Sequence, residues 1–321
     1  MSASLGSLSK AGRTLLPFRQ CMYHRPELSG TTLGVLPADT IAHYREHGYV
    51  VAPGAATRTA FAAMRAELDA WVEESRGHNE NYGETQMGTP RFDLEPGHNA
   101  AVPRLRRVNN PAEISETYRS VAFDGPLAEM AADLVGPDVK FLHGKINLKL
   151  PGTKTRVDYH QDFAYVPHTN GDVVTGLLML DDMTLENGCL MVVPGSHREG
   201  QASLWAGERF TGSVSQEKAA ECARRAVPIT GRAGDVCLMH AKLLHGSEPN
   251  ASGSPRRLYI CMYSAADAFL LQRNSLPNRF EGAIVRGTPT RRARLEAGSV
   301  ELPEIFRQAS FFQVQEAAVQ S

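Results

Sequence analysis

The chain has 321 residues, 42% of them hydrophobic and 21% charged, with a formal net charge of −1. That composition is ample for a packed core and too apolar for disorder. The balanced charge supplies no basic field for a phosphate backbone, and no run approaches the eighteen or so apolar residues that cross a bilayer, so neither nucleic acid nor membrane is an expected partner.

Residues 1–36 are rich in Ser, Gly and Leu without a clear period. The first acid is Glu27, and Arg13, Arg19 and Arg25 precede it. This resembles the composition of an organelle transit peptide, but the plainer reading is a loosely ordered basic extension on a cytoplasmic protein. Cys21, Cys189, Cys222, Cys237 and Cys261 form no Cys-x-x-Cys pair. An odd, unpaired set fits a reduced protein whose cysteines pack.

Leu36-Pro37-Ala38-Asp39 reads as a helix start, with Ile41 and Tyr44 on its apolar side. Gly48-Tyr49-Val50-Val51 reads as a short strand. Residues 57–75 place Phe61, Met64, Leu68 and Trp71 at helical spacing. The polar stretch 76–105 is expected to be irregular, a lid or binding loop. Arg91, His98 and Arg104 within it are candidates for holding an anionic substrate, with ordinary surface charge as the favoured reading. Residues 126–135 predict a further helix, ending near Gly136-Pro137.

From residue 139 short apolar runs alternate with turn signals: 139–143, 147–150, 173–180, 189–193, 235–240 and 258–263. Pro151-Gly152, Asn170-Gly171, Asn187-Gly188 and Pro194-Gly195 punctuate them. Many short strands between turns predict an all-β sandwich or barrel. The expected organisation is a single domain over 37–321. It has a helical part at 37–138, a β core at about 139–267 and a mostly irregular tail at 268–321.

Two segments carry chemistry. In His160-Gln161-Asp162 an i, i+2 pair on extended chain projects both side chains to one face. The second segment runs from His240 to His245-Gly246-Ser247, with Asn250, Arg256 and Arg257 beyond. His240 and His245 would face opposite ways on a continuous strand, so only one can join the first pair. His245 is favoured, because Gly246 and Ser247 permit close backbone approach, and His240 is read as a core or supporting histidine. Two histidines and a carboxylate can cap one face of an octahedral iron(II) and leave the opposite positions open. An arginine grips a carboxylate through two parallel hydrogen bonds. Together these residues point to a non-heme iron oxygenase with a dicarboxylate co-substrate.

The chain resembles the phytanoyl-CoA dioxygenase family of iron(II)/2-oxoglutarate oxygenases. The matching stretches are Leu148-Lys149-Leu150-Pro151-Gly152, Tyr159-His160-Gln161-Asp162 and Asp182 to Leu190. Val193-Pro194-Gly195-Ser196-His197, Gly234-Asp235-Val236 and His245-Gly246-Ser247 with Asn250 and Arg256 follow. The resemblance spans about 36–267. It implies a mainly β fold with flanking helices around a double-stranded β-helix, the cupin-like jelly roll. It also implies Fe(2+) on His160, Asp162 and His245, with 2-oxoglutarate and O2 as co-substrates and ascorbate as an activator in vitro. The far carboxylate of 2-oxoglutarate falls to Arg256, and Ser247 is a further contact. Relatives often place a lysine ahead of the first strands; Arg107 is the equivalent, and the departure from lysine leaves its role open. Arg257 follows Arg256 directly, but alternation puts the two on opposite faces. The intact Asp162 implies hydroxylation or another oxidation of a small molecule; related halogenases have Gly or Ala there.

Tyr159, Phe163 and Tyr165 flank the metal motif as candidate pocket residues, as do Asn147 and Lys149, which share a strand face with Lys145. A core role stays open for each. His197 is expected in a turn, Asp181-Asp182 at a strand-to-turn junction, and Arg291, Arg292 and Arg294 on a solvated face. The rival readings are a cupin-type metal oxygenase without 2-oxoglutarate and a non-catalytic binding module on the same fold.

Overall fold

The computed structural model describes residues 36–86, 88–304 and 311–319. The basic extension therefore lies outside the described residues except for Leu36, which is buried and donates its N–H to Asp133. Helix α1 (Ala38–His47) leads into strand β1 (Tyr49–Ala52). Helix α2 (Arg58–Ser75) is capped by the Thr57 hydroxyl, which accepts from Ala60 N–H at 3.2 Å. Its apolar stripe buries Met64 and Leu68, and Trp71 stacks on Tyr118.

Residues 76–105 correct the sequence reading. They hold strands β2 (Tyr82–Glu84) and β3 (Pro90–Leu94), which pair with β4 (Leu105–Asn109). No apolar alternation announced them because their buried positions include Arg91, Asp93, Arg106, Arg107 and Asn109. Arg91 is structural: it donates to the carbonyls of Glu84, Asn109 and Asn110 and to Glu113. His98 likewise bonds the Ser75 carbonyl and accepts from Arg104 N–H.

Helix α3 (Glu116–Phe123), unannounced by the sequence pattern, is capped by Ser115. Helix α4 (Pro126–Val135) falls where expected. Strand β5 (Val139–Lys149) is one continuous strand, where two short ones were expected. Then come β6 (Val157–His160), β7 (Val173–Met179), β8 (Leu190–Val192), a small β9–β10 ribbon (Trp205–Ala206 and Arg209–Phe210) and helix α5 (Gln216–Arg225). The rest comprises β11 (Val227–Ile229), β12 (Val236–His240), β13 (His245–Ser247), β14 (Arg256–Ala265), β15 (Ile284–Arg286) and helix α6 (Phe311–Val319).

The larger antiparallel sheet runs β1-β12-β7-β14-β5-β4-β3-β2, with β15 also on β5; the smaller runs β11-β8-β13-β6. Strand β14 is buried on both faces. Tyr259 and Tyr263 turn outward and donate their hydroxyls to the Tyr118 and Ala122 carbonyls of α3. Leu258 and Ile260 turn inward and pack with Leu177, Leu190, Val192 and Met239 between the sheets. The architecture is mainly β, a jelly roll with helices on its outer face. The site lies between the sheets.

Candidate active site

Strands β6 and β13 pair so that His160 stands opposite His245. Gly246 makes this possible: a Cβ there would lie 2.9 Å from the Val157 carbonyl oxygen. Strand β6 ends at His160, Gln161 remains extended, and Asp162 opens a 3-10 turn. Gln161, which alternates with the two metal-type residues, points away and latches onto the carbonyls of Gly200 and Lys242.

His160 Nε2 and His245 Nε2 lie 3.7 and 3.8 Å from Asp162 Oδ1. All three ligand-type atoms fall within 4.8 Å of one another. His160 Nδ1 is 2.8 Å from the Asp158 carbonyl and His245 Nδ1 is 3.0 Å from the Leu243 carbonyl. A carbonyl only accepts, so each Nδ1 carries the proton and each Nε2 offers its lone pair inward. Thr175 donates its hydroxyl to Asp162 Oδ2 at 2.7 Å and orients the carboxylate. Burial pushes the Asp162 carboxyl up, but His245, His160 and Lys145 outweigh it and hold it well below the usual carboxylate range. Burial, with His160 beside it, pushes His245 down to about 4. Two imidazoles that turn Nε2 inward and one carboxylate, buried together, fit iron(II) as a donor set.

An inner chamber of about 50 Å³ opens from this triad. Arg256, Ser247 and Lys149 also line it. Arg256 is buried and donates Nε and Nη2 to the Gly188 carbonyl at 3.1 and 2.8 Å. Gly188 has φ +75°, and a Cβ there would lie 2.3 Å from the Glu248 carbonyl, so only glycine presents this acceptor. Lys149, opposite Arg256 in register, donates to Ser247 Oγ at 2.7 Å and to the Glu248 carbonyl. Burial, and Arg256 beside it, lower the Lys149 ammonium well below its ordinary value. Arg257 turns the other way and forks onto Asp181 at 2.8 Å through Nε and Nη2, with Asp69 as a further partner.

Arg107 reaches the chamber from β4. Its Nε donates to Asn147 Oδ1 at 3.1 Å, and its buried Nη2 has no partner among the described residues. Burial pushes its guanidinium down to about 10. Its guanidinium carbon lies 5.2 and 4.4 Å from the ring centres of Phe311 and Phe312 of α6. An outer chamber of about 170 Å³ shares Arg107, Lys145, Asp162 and Phe311 with the inner one and adds His143, Tyr165 and Asn274.

The structure thus brings His160, Asp162, His245, Arg256, Ser247, Arg107, Asn147 and Lys149 to one cavity and places Tyr165 at the next. Two expected pocket residues lie elsewhere. Tyr159, alternating with His160, packs among Leu204, Phe210 and Cys222. Phe163 is turned away by the 3-10 turn and packs with Leu142, Val166 and Val173. His168 is also buried away from the cavity, bonded to the Val166 carbonyl. His240 packs between Tyr44 and His197, and His197 bonds the Arg45 carbonyl, so neither joins the triad. Asp182 caps Ala233 N–H, and Arg294 pairs with Asp172 and Asp267 at the surface.

Residues missed by sequence reasoning are Thr175, His143, Phe311 and Phe312. Alternation along β5 signals His143. Nothing in the sequence brings α6 to a site some 150 residues earlier.

A model of the phytanoyl-CoA dioxygenase family matches residues 44–258. A probable alpha-ketoglutarate-dependent hypophosphite dioxygenase of Stutzerimonas stutzeri is 31% identical over 217 residues, which cover 66% of this chain and 74% of the relative. The ectoine dioxygenase of Sphingopyxis alaskensis is 33% identical over 200 residues, covering 56% of this chain and 61% of the relative. The crystal structure of EctD from S. alaskensis with bound Fe shares the fold, with a TM-score of 0.62 at 24% identity over 82% of this chain and 91% of that one. The non-heme alpha ketoglutarate dependent carbocyclase SnoK aligns at a TM-score of 0.56 and 25% identity, over 75% of this chain and 88% of its own. The family match spans two thirds of the sequence and runs from α1 into β14, through every strand that builds the triad; the protein is an enzyme of the phytanoyl-CoA dioxygenase family.

Proposed function

We propose that His160, Asp162 and His245 hold the iron(II) of this dioxygenase, and that Arg256 and Ser247 hold the far carboxylate of 2-oxoglutarate with Arg107 as a further contact. One observation carries the reading: a buried two-histidine, one-carboxylate set, a buried arginine and a serine hydroxyl line the same inner chamber. With iron(II) and 2-oxoglutarate bound, O2 is consumed to oxidise a small-molecule C–H bond while succinate and CO2 leave. The protein's own residues orient and shield. Thr175 fixes the Asp162 carboxylate, and the carbonyls of Asp158 and Leu243 fix the imidazole tautomers. Leu177, Leu258, Ile260 and Phe311 supply apolar wall to the same chamber. Asp162 fills the position that a halide would need, which favours hydroxylation.

Residues 37–321 act as one dioxygenase domain on this reading, because the C-terminal helix supplies Phe311 and Phe312 to the chamber and Glu316 to Arg106. A cytoplasmic location belongs to the same proposal. Among the described residues no helix is long and apolar enough to cross a membrane.

The test follows succinate release with iron(II), 2-oxoglutarate and ascorbate across a panel of small molecules. The expected result is release coupled to product and dependent on both additions. Turnover that persists without 2-oxoglutarate would point to a cupin-type oxygenase, and a protein that takes up no iron would be a binding module.

A further inference from the structure

Alternate residues of β5 share one face, so His143, Lys145, Asn147 and Lys149 all point between the sheets. Asn147 is engaged by Arg107, and Lys149 by Ser247. The first two are left over. Lys145 borders both chambers and is open to them, yet its ammonium makes no hydrogen bond or ion pair with any described residue. Its neighbour across the sheet is Asn109 on β4, whose Nδ2 donates to the Pro90 carbonyl and whose Oδ1 has no partner among the described residues. The charged neighbours of Lys145 are Asp162, which belongs to the triad, and the cation Arg107, and its ammonium stands 5.9 Å from the ring centre of Phe311, so among the described residues it has no anion of its own. Asp162 is committed to the triad; Asp93 Oδ1 accepts from Arg106 at 2.9 Å, while its Oδ2 has no partner among the described residues, and Asp93 and the exposed Glu304 also line the outer chamber.

His143 is the second unused group. Its Nδ1 lies 2.9 Å from Asn274 Oδ1, which also accepts from Leu276 N–H, while Asn274 Nδ2 donates to Glu281. The Asn274 amide is therefore fixed with its oxygen toward the ring, so His143 Nδ1 carries the proton. Nε2 is left as an acceptor on the outer chamber, with no partner among the described residues. Lys145 and His143 are two residues apart on one strand, about 7 Å, a span of a few bonds. The chamber, about 170 Å³, is well below the size of pockets for drug-sized molecules.

We propose that Lys145 and His143 form the substrate-recognition pair of the outer chamber. Lys145 takes an oxyanion of the substrate, and His143 Nε2 accepts a hydrogen bond from its N–H or O–H. The substrate is then a small hydrophilic acid that also carries a donor, and its charged end is a carboxylate or a phosphorus oxyanion. This rests on the reading of the inner chamber above, in which Arg256, Ser247 and Arg107 already serve 2-oxoglutarate.

The test reads binding without oxygen, so that it does not depend on turnover. The wild-type complex with iron(II) and 2-oxoglutarate is titrated with small hydroxy- and amino-carboxylates, with methylphosphinate and aminomethylphosphinate, and with the amides of the carboxylates. Calorimetry and the visible absorption of the complex report the affinities. At least one acid should bind, with its amide weaker by about tenfold or more, as expected for loss of a charged hydrogen bond. Lys145→Met should lose about tenfold or more on the acids while 2-oxoglutarate affinity stays within about threefold. Lys145→Gln repeats the measurement if the methionine variant does not fold. His143→Phe should weaken acids that carry a donor and spare matched acids without one. The carboxylate and phosphinate arms show which oxyanion is taken. The proposal is overturned if no acid binds, if amides bind as well as acids, or if Lys145→Met binds the acids normally. It is also overturned if Lys145→Met loses 2-oxoglutarate, which would give Lys145 to the co-substrate. A wild-type protein that takes up neither iron nor 2-oxoglutarate would instead sink the reading beneath it.

Discussion

Arg256 and Arg257 are adjacent, both buried and both charged, and the structure gives them separable jobs. Arg257 forks onto Asp181, whose side chain is only 9% exposed. Replacing Arg257 by Met strands that carboxylate. Breaking a buried pair from one side costs roughly 3–5 kcal/mol, and the low end is expected because Arg65 Nη2 remains 3.6 Å from Asp181. Arg256 has no acidic partner among the described residues; its Nε and Nη2 both donate to the single carbonyl of Gly188. Arg256→Met removes those neutral-acceptor bonds, a loss of about 1–3 kcal/mol in stability. It also strips the far carboxylate of 2-oxoglutarate of its partner, at roughly 2–5 kcal/mol. That corresponds to a fall in affinity of about thirtyfold to several thousandfold. The assay pairs a urea titration with an anaerobic 2-oxoglutarate titration of the iron(II) protein for each variant. Arg257→Met should show the larger loss in stability, with 2-oxoglutarate affinity within about threefold of wild type. Arg256→Met should show the larger loss in affinity. If Arg257→Met carries the affinity loss, the inward and outward faces of β14 have been exchanged and the co-substrate assignment fails.

His160→Ala, Asp162→Ala and His245→Ala should each abolish iron uptake and product with an unchanged circular dichroism spectrum, whereas His240→Ala should keep its iron; normal iron affinity in His245→Ala would refute the triad. Thr175→Val keeps the shape and removes the bond to Asp162, so iron affinity or activity should fall about 10–100-fold; no change in either would show that the bond does not orient the carboxylate. The wild type should form no halogenated product in high chloride or bromide, and Asp162→Gly should admit a halide beside the iron; mass spectrometry of the products decides, and halogenation by the unmutated enzyme would remove Asp162 from the ligand set. Burial pushes His240 down to about 3, so the folded state binds this proton less readily than the unfolded chain. Stability should therefore fall as pH drops from about 6.5 toward 3, by about 1.4 kcal/mol per pH unit for this ring. His240→Phe should flatten the urea-midpoint profile by that slope, and identical profiles would mean that the ring is not held neutral.

That His160 and Asp162 share a face, and that Arg256 and Arg257 do not, was legible in the sequence because each depends on local alternation; Arg256 over Arg257 rested on the family resemblance, and His245 over His240 on Gly246 and Ser247. Residues two apart on an extended chain share a face wherever that chain goes. Helices α2 and α4 were legible for a similar reason, since each is written in one continuous apolar stripe or bounded by Gly and Pro. Strands β2 to β4 were not, because they bury charge: Arg91 and Asp93 sit in a stretch that reads as an irregular polar loop, and Arg106 and Arg107 break any apolar alternation, until partners from Glu113, Asn147 and α6 surround them. Tyr159 and Phe163 flank the metal motif in sequence, yet strand alternation and a 3-10 turn send them into the core. The inner chamber's cover, Phe311 and Phe312, comes from the far end of the chain. Its position is set by long-range packing on Arg106 and Arg107, which no local periodicity encodes. Sequence alone put His160 and Asp162 on one face; tertiary structure decided that His245 and not His240 meets them, because only strand pairing brings β13 against β6, and it decided which buried charges the protein itself satisfies.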